Sequence, residues 1–375
     1  MKPEAHRAWR HRLLAILLGA GLCAPGLAAP PKAPDYLFDD AHFHLTNYVQ
    51  KGTDIHRYLE IMGDKVGRST LFGIPLQQTW AYGNSGDFAP TYYLQSDAPL
   101  YYYSFTDAYI AKVYQALPKA QQARLDPMIT GFNPADMYGV DHIRRVLELF
   151  PGVFSGIGEF TIHKEFVSSK VAGETASLTN PALDRILDFA GEVGLVAIIH
   201  CDIDMPFAKA GTEPVYLKQM RDLLRRHPQT TIIWAHLGLG RIVRPVQGQA
   251  TTEGAERSGA YQEIVAGMLE DPTLSHVDFD ISWDEVAKYA VASPESIQRV
   301  VKIFNAHPDR FLFGTDNVAP AEQATQLRIY EMWNPVWAQL TPDASRKIRL
   351  GNYERLFDAA RMKVRAWEKA NVKPL

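Results

Sequence analysis

The chain has 375 residues, 46% of them hydrophobic and 22% charged, with a formal net charge of −3. A mildly acidic chain without a basic run is a poor nucleic-acid binder, so that class is set aside. Its two cysteines, Cys23 and Cys201, fall on either side of an expected cleavage point, which excludes an intramolecular disulfide framework in the mature protein.

Residues 1–29 read as an export signal. Lys2, Arg7, Arg10 and Arg12 precede an apolar run from Leu13 to Leu22, and small residues follow at Gly26, Ala28 and Ala29. The run is too short to span a bilayer. Cleavage after Ala28 or Ala29 therefore predicts an exported, periplasmic or secreted protein with no stable membrane insertion. The remaining 346 residues carry −6, because four basic residues and one glutamate leave with the leader. They are expected to form one domain, residues 30–375.

Within that domain, apolar strand-like runs alternate with helix-like runs, the pattern of parallel strands joined by crossover helices. The first strand enters apolar at Tyr36, Leu37 and Phe38 and leaves through Asp40, His42 and His44, which alternation puts on one face. A helix over 54–66 leads to a second strand at 69–75, followed by an aromatic-rich insertion over 76–105. The third strand lies near 127–132 and the fourth at 153–160. A helix over 180–193, with Pro181 at its favoured first position, leads to the fifth strand at 195–200. The sixth strand is placed at 230–236, the seventh at 276–281 and the eighth at 310–315, with helices from Trp333 onward. Eight strands with intervening helices predict an α/β fold, a (β/α)8 TIM barrel with an aromatic-rich insertion after strand two and C-terminal helices.

In such a barrel, chemistry sits where the strands end. Here those ends are His42 and His44, Glu159, His200, His236 and Asp316. His227 and His307 precede prolines at helix ends and His276 opens a strand, so all three are expected at the opposite, stabilising end. His56 and His142 fall in helices and read as surface residues, while His163 in the loop after strand four is intermediate. Four imidazoles and two carboxylates crowded into a barrel mouth would be costly to bury unpaired. Metal binding removes that cost, and two divalent ions sharing a carboxylate and a water would use all six groups. Zinc suits so imidazole-rich a site, with manganese or iron as alternatives. Cys201 should point away from the face that His200 uses and is read as a buried thiol.

Asp40-Ala41-His42-Phe43-His44, Gly158-Glu159, His200, Ala235-His236-Leu237-Gly238 and Gly314-Thr315-Asp316 together resemble the amidohydrolase superfamily. The ending Gly351-Asn352-Tyr353-Glu354-Arg355-Leu356-Phe357 is similar to the closing motif of its amidohydrolase-related branch, amidohydrolase family 2. The resemblance spans nearly all of the mature chain. It implies that His42, His44 and Asp316 hold a first metal, that His200 and His236 hold a second, and that the strand-four group bridges them. Many members carry a carboxylated lysine there, whereas this chain has Glu159.

The expected activity is metal-dependent hydrolysis of an amide, ester or lactone, with phosphoesters open to the same chemistry. Asp316 would take the proton of the attacking water and pass it to the leaving group. Arg241, Arg244, Lys164 and Trp283 follow strand ends and are candidate substrate contacts. The expected partner is a small-molecule substrate, with a homo-oligomer left open; the insertion at 76–105 suits a lid or an interface equally. The rival reading is a metal-dependent decarboxylase of an aromatic or unsaturated acid, which typically needs one metal and no strand-four carboxylate.

Overall fold

Alternation of apolar strands with capped, one-sided helices gives the chain its layers. The computed structural model describes residues 35–47, 52–74, 105–164, 170–171, 174–175, 177–204, 214–240, 262 and 264–373. The leader, nearly all of the aromatic insertion, Arg241 and Arg244 lie outside the described residues. Twelve strands are described: β1 (Phe38–Asp40), β2 (Phe43–His44), β3 (Val66–Leu71), β4 (Leu125–Ile129), β5 (Gly156–His163), β6 (Lys170–Val171), β7 (Glu174–Thr175), β8 (Val196–Cys201), β9 (Ile232–Trp234), β10 (Val277–Asp280), β11 (Phe311–Leu312) and β12 (Asn317–Val318). Eight of them form one sheet in the order β1-β3-β4-β5-β8-β9-β10-β11, every neighbour parallel. This is the TIM-barrel architecture expected from the sequence.

The two ends of the sheet meet. Ala41 N donates to the Phe313 carbonyl at 3.0 Å, Asp316 N to the His42 carbonyl at 2.7 Å, and β12 pairs in parallel with β2. Asp40 fastens this seam. Its carboxylate accepts from Thr315 N (2.9 Å), Thr315 Oγ1 (2.7 Å) and Gln326 Nε2 (2.6 Å). Asp40 is thereby turned to the closing strand, which corrects the expectation that it shares a face with His42 and His44. The first strand is broken between Asp40 and Phe43, and that break frees its side chains from simple alternation.

The crossover helices form for local reasons. In Pro181–Val193, Asn180 Oδ1 accepts from Ala182 N at 2.9 Å, Pro181 supplies the preset φ, and Gly194 closes the helix in the left-handed region at φ 85°. Leu183, Ile186, Leu187 and Ala190 are all fully buried, a helical-period stripe laid against the sheet. Ser293 caps Pro294–Ala306 in the same way, its Oγ accepting from Ser296 N. A helix at Asp284–Ala290 follows β10 after three residues. Among the described residues, no helix is long and apolar enough to cross a membrane.

The last helix, Asn352–Asn371, lies across the N-terminal ends of the strands. Tyr353 Oη and Arg361 Nε donate to the buried Asp126 at the start of β4, at 2.8 and 2.6 Å, and Arg68 reaches the same carboxylate at 2.9 Å. Arg355 pairs with Asp278 at 3.1 Å and Arg365 donates to the Phe154 carbonyl. This face of a barrel serves stability rather than chemistry.

Asp39 at the same end is a buried acid whose Oδ2 has no hydrogen-bond partner among the described residues, while Oδ1 accepts from Arg68 N at 2.7 Å. Burial pushes its carboxyl from 3.8 up to about 7, against the pull of Arg68. The unfolded chain loses this proton near its ordinary value, so the folded state holds it longer and stability falls as pH rises through that window. Asp39→Asn is expected to raise the unfolding temperature at pH 8, recovering up to about 4 kcal/mol, with a smaller gain at pH 5. Calorimetry at the two values checks this; an equal or larger gain at pH 5 contradicts it.

Candidate metal centre

Six side chains converge at the C-terminal ends of the strands. His42 and His44 flank and occupy β2, Glu159 lies within β5, His200 within β8, His236 follows β9, and Asp316 precedes β12. Strand β5 runs on to His163, so Glu159 is not its last residue as expected from the sequence; it faces inward from the strand's middle. Gly158 before it adopts φ 111°, and a Cβ there would collide with the Ile198 carbonyl oxygen, so only glycine lets β5 pass this close to β8.

Glu159 presents its two oxygens to two different imidazole pairs. Oε2 lies 3.6 Å from His42 Nε2 and 3.4 Å from His44 Nε2. Oε1 lies 2.5 Å from His200 Nδ1 and 3.4 Å from His236 Nε2. Asp316 Oδ1 completes the first group, 3.5 Å from His42 Nε2 and 3.3 Å from His44 Nε2. Three overlapping triplets (His42, His44, Glu159; His42, His236, Asp316; Glu159, His200, His236) each bring their ligand atoms within 4.8 Å of one another.

Each imidazole is held by its outward nitrogen. His42 Nδ1 pairs with Asp280 Oδ2 at 2.9 Å, His44 Nδ1 with the Gly73 carbonyl at 3.0 Å, and His236 Nδ1 with Ser282 Oγ at 2.8 Å. His200 is turned the other way: Nδ1 faces inward and Nε2 meets Asp202 Oδ1 at 3.2 Å. Such outer partners fix which nitrogen carries the lone pair. Backbone strain gathers at the same ends, with left-handed φ at His236 (55°), Asp316 (55°) and Trp283 (79°).

Electrostatics follow from this packing. Burial alone would strip the proton from His42, but Asp280 and Glu159 hold it well above its ordinary value. His44 is raised against burial by Asp316 and Glu159, and His200 by Glu159 and Asp202 against both burial and the nearby Lys164 charge. Burial lowers His236. Burial would lift the Glu159 carboxyl, but His200 and His42 hold it well below the carboxylate range; Asp316 is lowered likewise against burial by His44, His236 and His42.

The residues fit a divalent cation. The inward Nε2 atoms of His42 and His236 are buried and have no hydrogen-bond partner among the described residues, although carboxylate oxygens stand 3.4 to 3.6 Å away. Uncapped imidazole nitrogens and carboxylates converging at this spacing are the donor set that such an ion takes. The carboxylates already draw positive charge onto His42, His44 and His200, and an ion among them would take over that part.

Other expected residues fall in several places. Trp283 stands beside the centre, its ring centroid 5.2 Å from that of His236, and the buried Lys164 Nζ lies 5.8 Å from the Trp283 ring. His163 stacks on Tyr216 at 3.8 Å, and burial holds its pKa down at about 4. His227, at a helix end as expected, bonds Asp184 and Asp188, and His276, in the turn just before β10 rather than opening it, bonds the Leu224 carbonyl. His56 is exposed, but His142 is half-buried against Asp107 at 3.1 Å, which corrects its reading as a surface residue. Cys201 is a buried thiol pushed up by burial, as expected. The sequence reading missed Asp280, Ser282 and Asp202. Asp280 ends its strand as a candidate ligand would, but Asp278 two residues before it offers the same local signal.

Several solved structures align with most of the chain, among them two with a TM-score of 0.50. An uncharacterised TIM-barrel protein from Bordetella bronchiseptica is 15% identical, covering 86% of this chain and 99% of its own, with a TM-score of 0.50. An amidohydrolase from Burkholderia multivorans with bound zinc is 13% identical, covers 86% and 99%, and also scores 0.50. At this identity both show the fold alone. No curated protein sequence matches the chain. Residues 39–359 match the amidohydrolase family, and the chain belongs to that family.

Proposed function

We propose that this chain is an exported hydrolase that holds two divalent ions and cleaves an amide, ester or lactone of a small organic substrate, with phosphoesters within reach of the same chemistry. One observation carries the reading: the two oxygens of Glu159 address two separate imidazole pairs, His42 with His44 and His200 with His236. A carboxylate so placed suits a bridge between two ions. His42, His44 and Asp316 would hold one and His200 and His236 the other. Zinc is the favoured ion for this donor set, with manganese or iron as alternatives. Bound there, the ions would lower the pKa of a water between them and polarise the substrate oxygen.

The chain's own groups supply the rest. Asp316 is held ionised beside the centre, and its left-handed backbone aims the carboxylate at His42 and His44, so it can take a proton and return it to the leaving group. Trp283 and the ammonium of Lys164 wall the side of the second pair, where an apolar face and an anionic group of the substrate would both find contacts. Arg241 and Arg244, which lie outside the described residues, are further candidate substrate contacts. A one-ion decarboxylase would have no use for a carboxylate split between two imidazole pairs.

Purified mature protein is expected to carry about two metal equivalents by elemental analysis. It should hydrolyse at least one class in a panel of lactones, aryl esters, N-acyl amino acids and phosphotriesters. A chelator should abolish turnover and lower the unfolding temperature, and added zinc or manganese should restore both. One equivalent together with carbon dioxide release from an aromatic acid would overturn the reading.

A further inference from the structure

The two halves of the centre share one buried anchor outside the six converging residues. Asp280, fully buried at the end of β10, turns Oδ2 to His42 Nδ1 at 2.9 Å. Its other oxygen accepts from His236 N at 3.0 Å and Ser282 N at 3.1 Å, and also takes the Ser282 hydroxyl. The Ser282 Oγ in turn meets His236 Nδ1 at 2.8 Å. One carboxylate thus fixes the ring of His42 on one side, and on the other both the strained backbone of His236 and, through Ser282, its ring. The contrast is Asp202, whose described contact with the four imidazoles is to His200 Nε2 at 3.2 Å.

We propose that Asp280 is a positioning residue that couples the two metal positions, so that filling one orders the ligands of the other; this rests on the two-metal reading above. The first ion to bind through His42 Nε2 requires Nδ1 to carry the proton and the ring to stand still. In its present rotamer Asp280 meets both requirements, with Oδ2 on His42 Nδ1. That same rotamer holds His236 in its left-handed turn with Nε2 inward. The ordering needed by the second pair is then already in place, and this lowers its cost of binding. By the same reasoning Asp202 serves one position only.

The test uses the full mature chain, stripped with a chelator and retitrated with zinc by calorimetry and with cobalt by its visible spectrum. Asp280→Asn is expected to weaken both equivalents, each roughly 10- to 100-fold, and to change the cobalt spectrum from the first addition. Asp202→Asn and Ser282→Ala should each weaken one equivalent and leave the other near wild type. An Asp280→Asn protein in which only one equivalent, or neither, is weakened overturns the coupling. Should that variant not fold, Ser282→Ala carries the test: loss at one equivalent supports the relay to His236, and two unaltered equivalents overturn it. Failure of the two-metal reading shows separately, as a wild type that binds fewer than two equivalents.

Discussion

Asp316→Asn is expected to keep its metal and lose turnover by about a thousandfold or more, within the range that general acid–base groups contribute. Asparagine retains an oxygen where Asp316 Oδ1 now faces His42 and His44, so the first group of ligands stays filled. What it lacks is a place for the proton. The side chain also sits on a left-handed residue whose amide donates to the His42 carbonyl at 2.7 Å, an anchor that substitution leaves intact. Asparagine tolerates that backbone well. Elemental analysis beside steady-state kinetics on the substrate found by the hydrolysis panel separates the two effects. Activity within tenfold of wild type, with metal retained, would sink the role assigned to Asp316.

The second large effect belongs to the opposite end of the barrel. Asp126→Ala is expected to destabilise the fold by about 3–5 kcal/mol, the loss typical when one partner of a buried ionic network is removed. Asp126 is fully buried and receives Arg68, Arg361, Tyr353 and, at 3.3 Å, Ser155. Alanine would leave two guanidinium groups largely inside the protein, together with a phenol that no longer has its acceptor. Arg68 keeps Asp358 at 2.6 Å and Arg361 keeps the Leu125 carbonyl at 2.8 Å, which limits the loss. Asp126→Asn should cost less, because it retains an acceptor for Tyr353. Denaturant unfolding monitored at constant m-value measures both, and the metal content of either variant should match wild type. A shift below about 1 kcal/mol for alanine would show that the C-terminal helix is held by its apolar face alone.

The sequence told more about the ligands than about what aims them. His42, His44, His200, His236 and Asp316 stood out because each stands where a short strand-like run ends, and a barrel collects such residues at one end. Glu159 was visible for the same reason, although β5 continues past it to His163. The orienting groups are a different matter. Val277-Asp278-Phe279-Asp280 offers two aspartates that alternation puts on one face, and nothing local tells them apart. In three dimensions Asp278 meets Arg355 at the floor while Asp280 meets His42 at the mouth. Their partners lie 77 and 238 residues away, a separation that no periodicity carries. The ring flip of His200 is likewise a tertiary fact, set by Asp202 on one side and Glu159 on the other.

The seam between the first and last strands has a kinetic consequence. Asp40 and Thr315 are 275 residues apart, and sheet contacts that close such long loops form slowly. His42 and His44 lie on one lip of that seam and Asp316 on the other. The group formed by His42, His44 and Asp316 is therefore assembled only when this seam closes, whichever units have formed between. An ion that needs both lips would meet a competent set of ligands only after closure, and would then slow reopening by making unfolding release it first. Uptake of metal would mark the end of folding, and the rate at which the loaded protein unfolds would be set by this single joint.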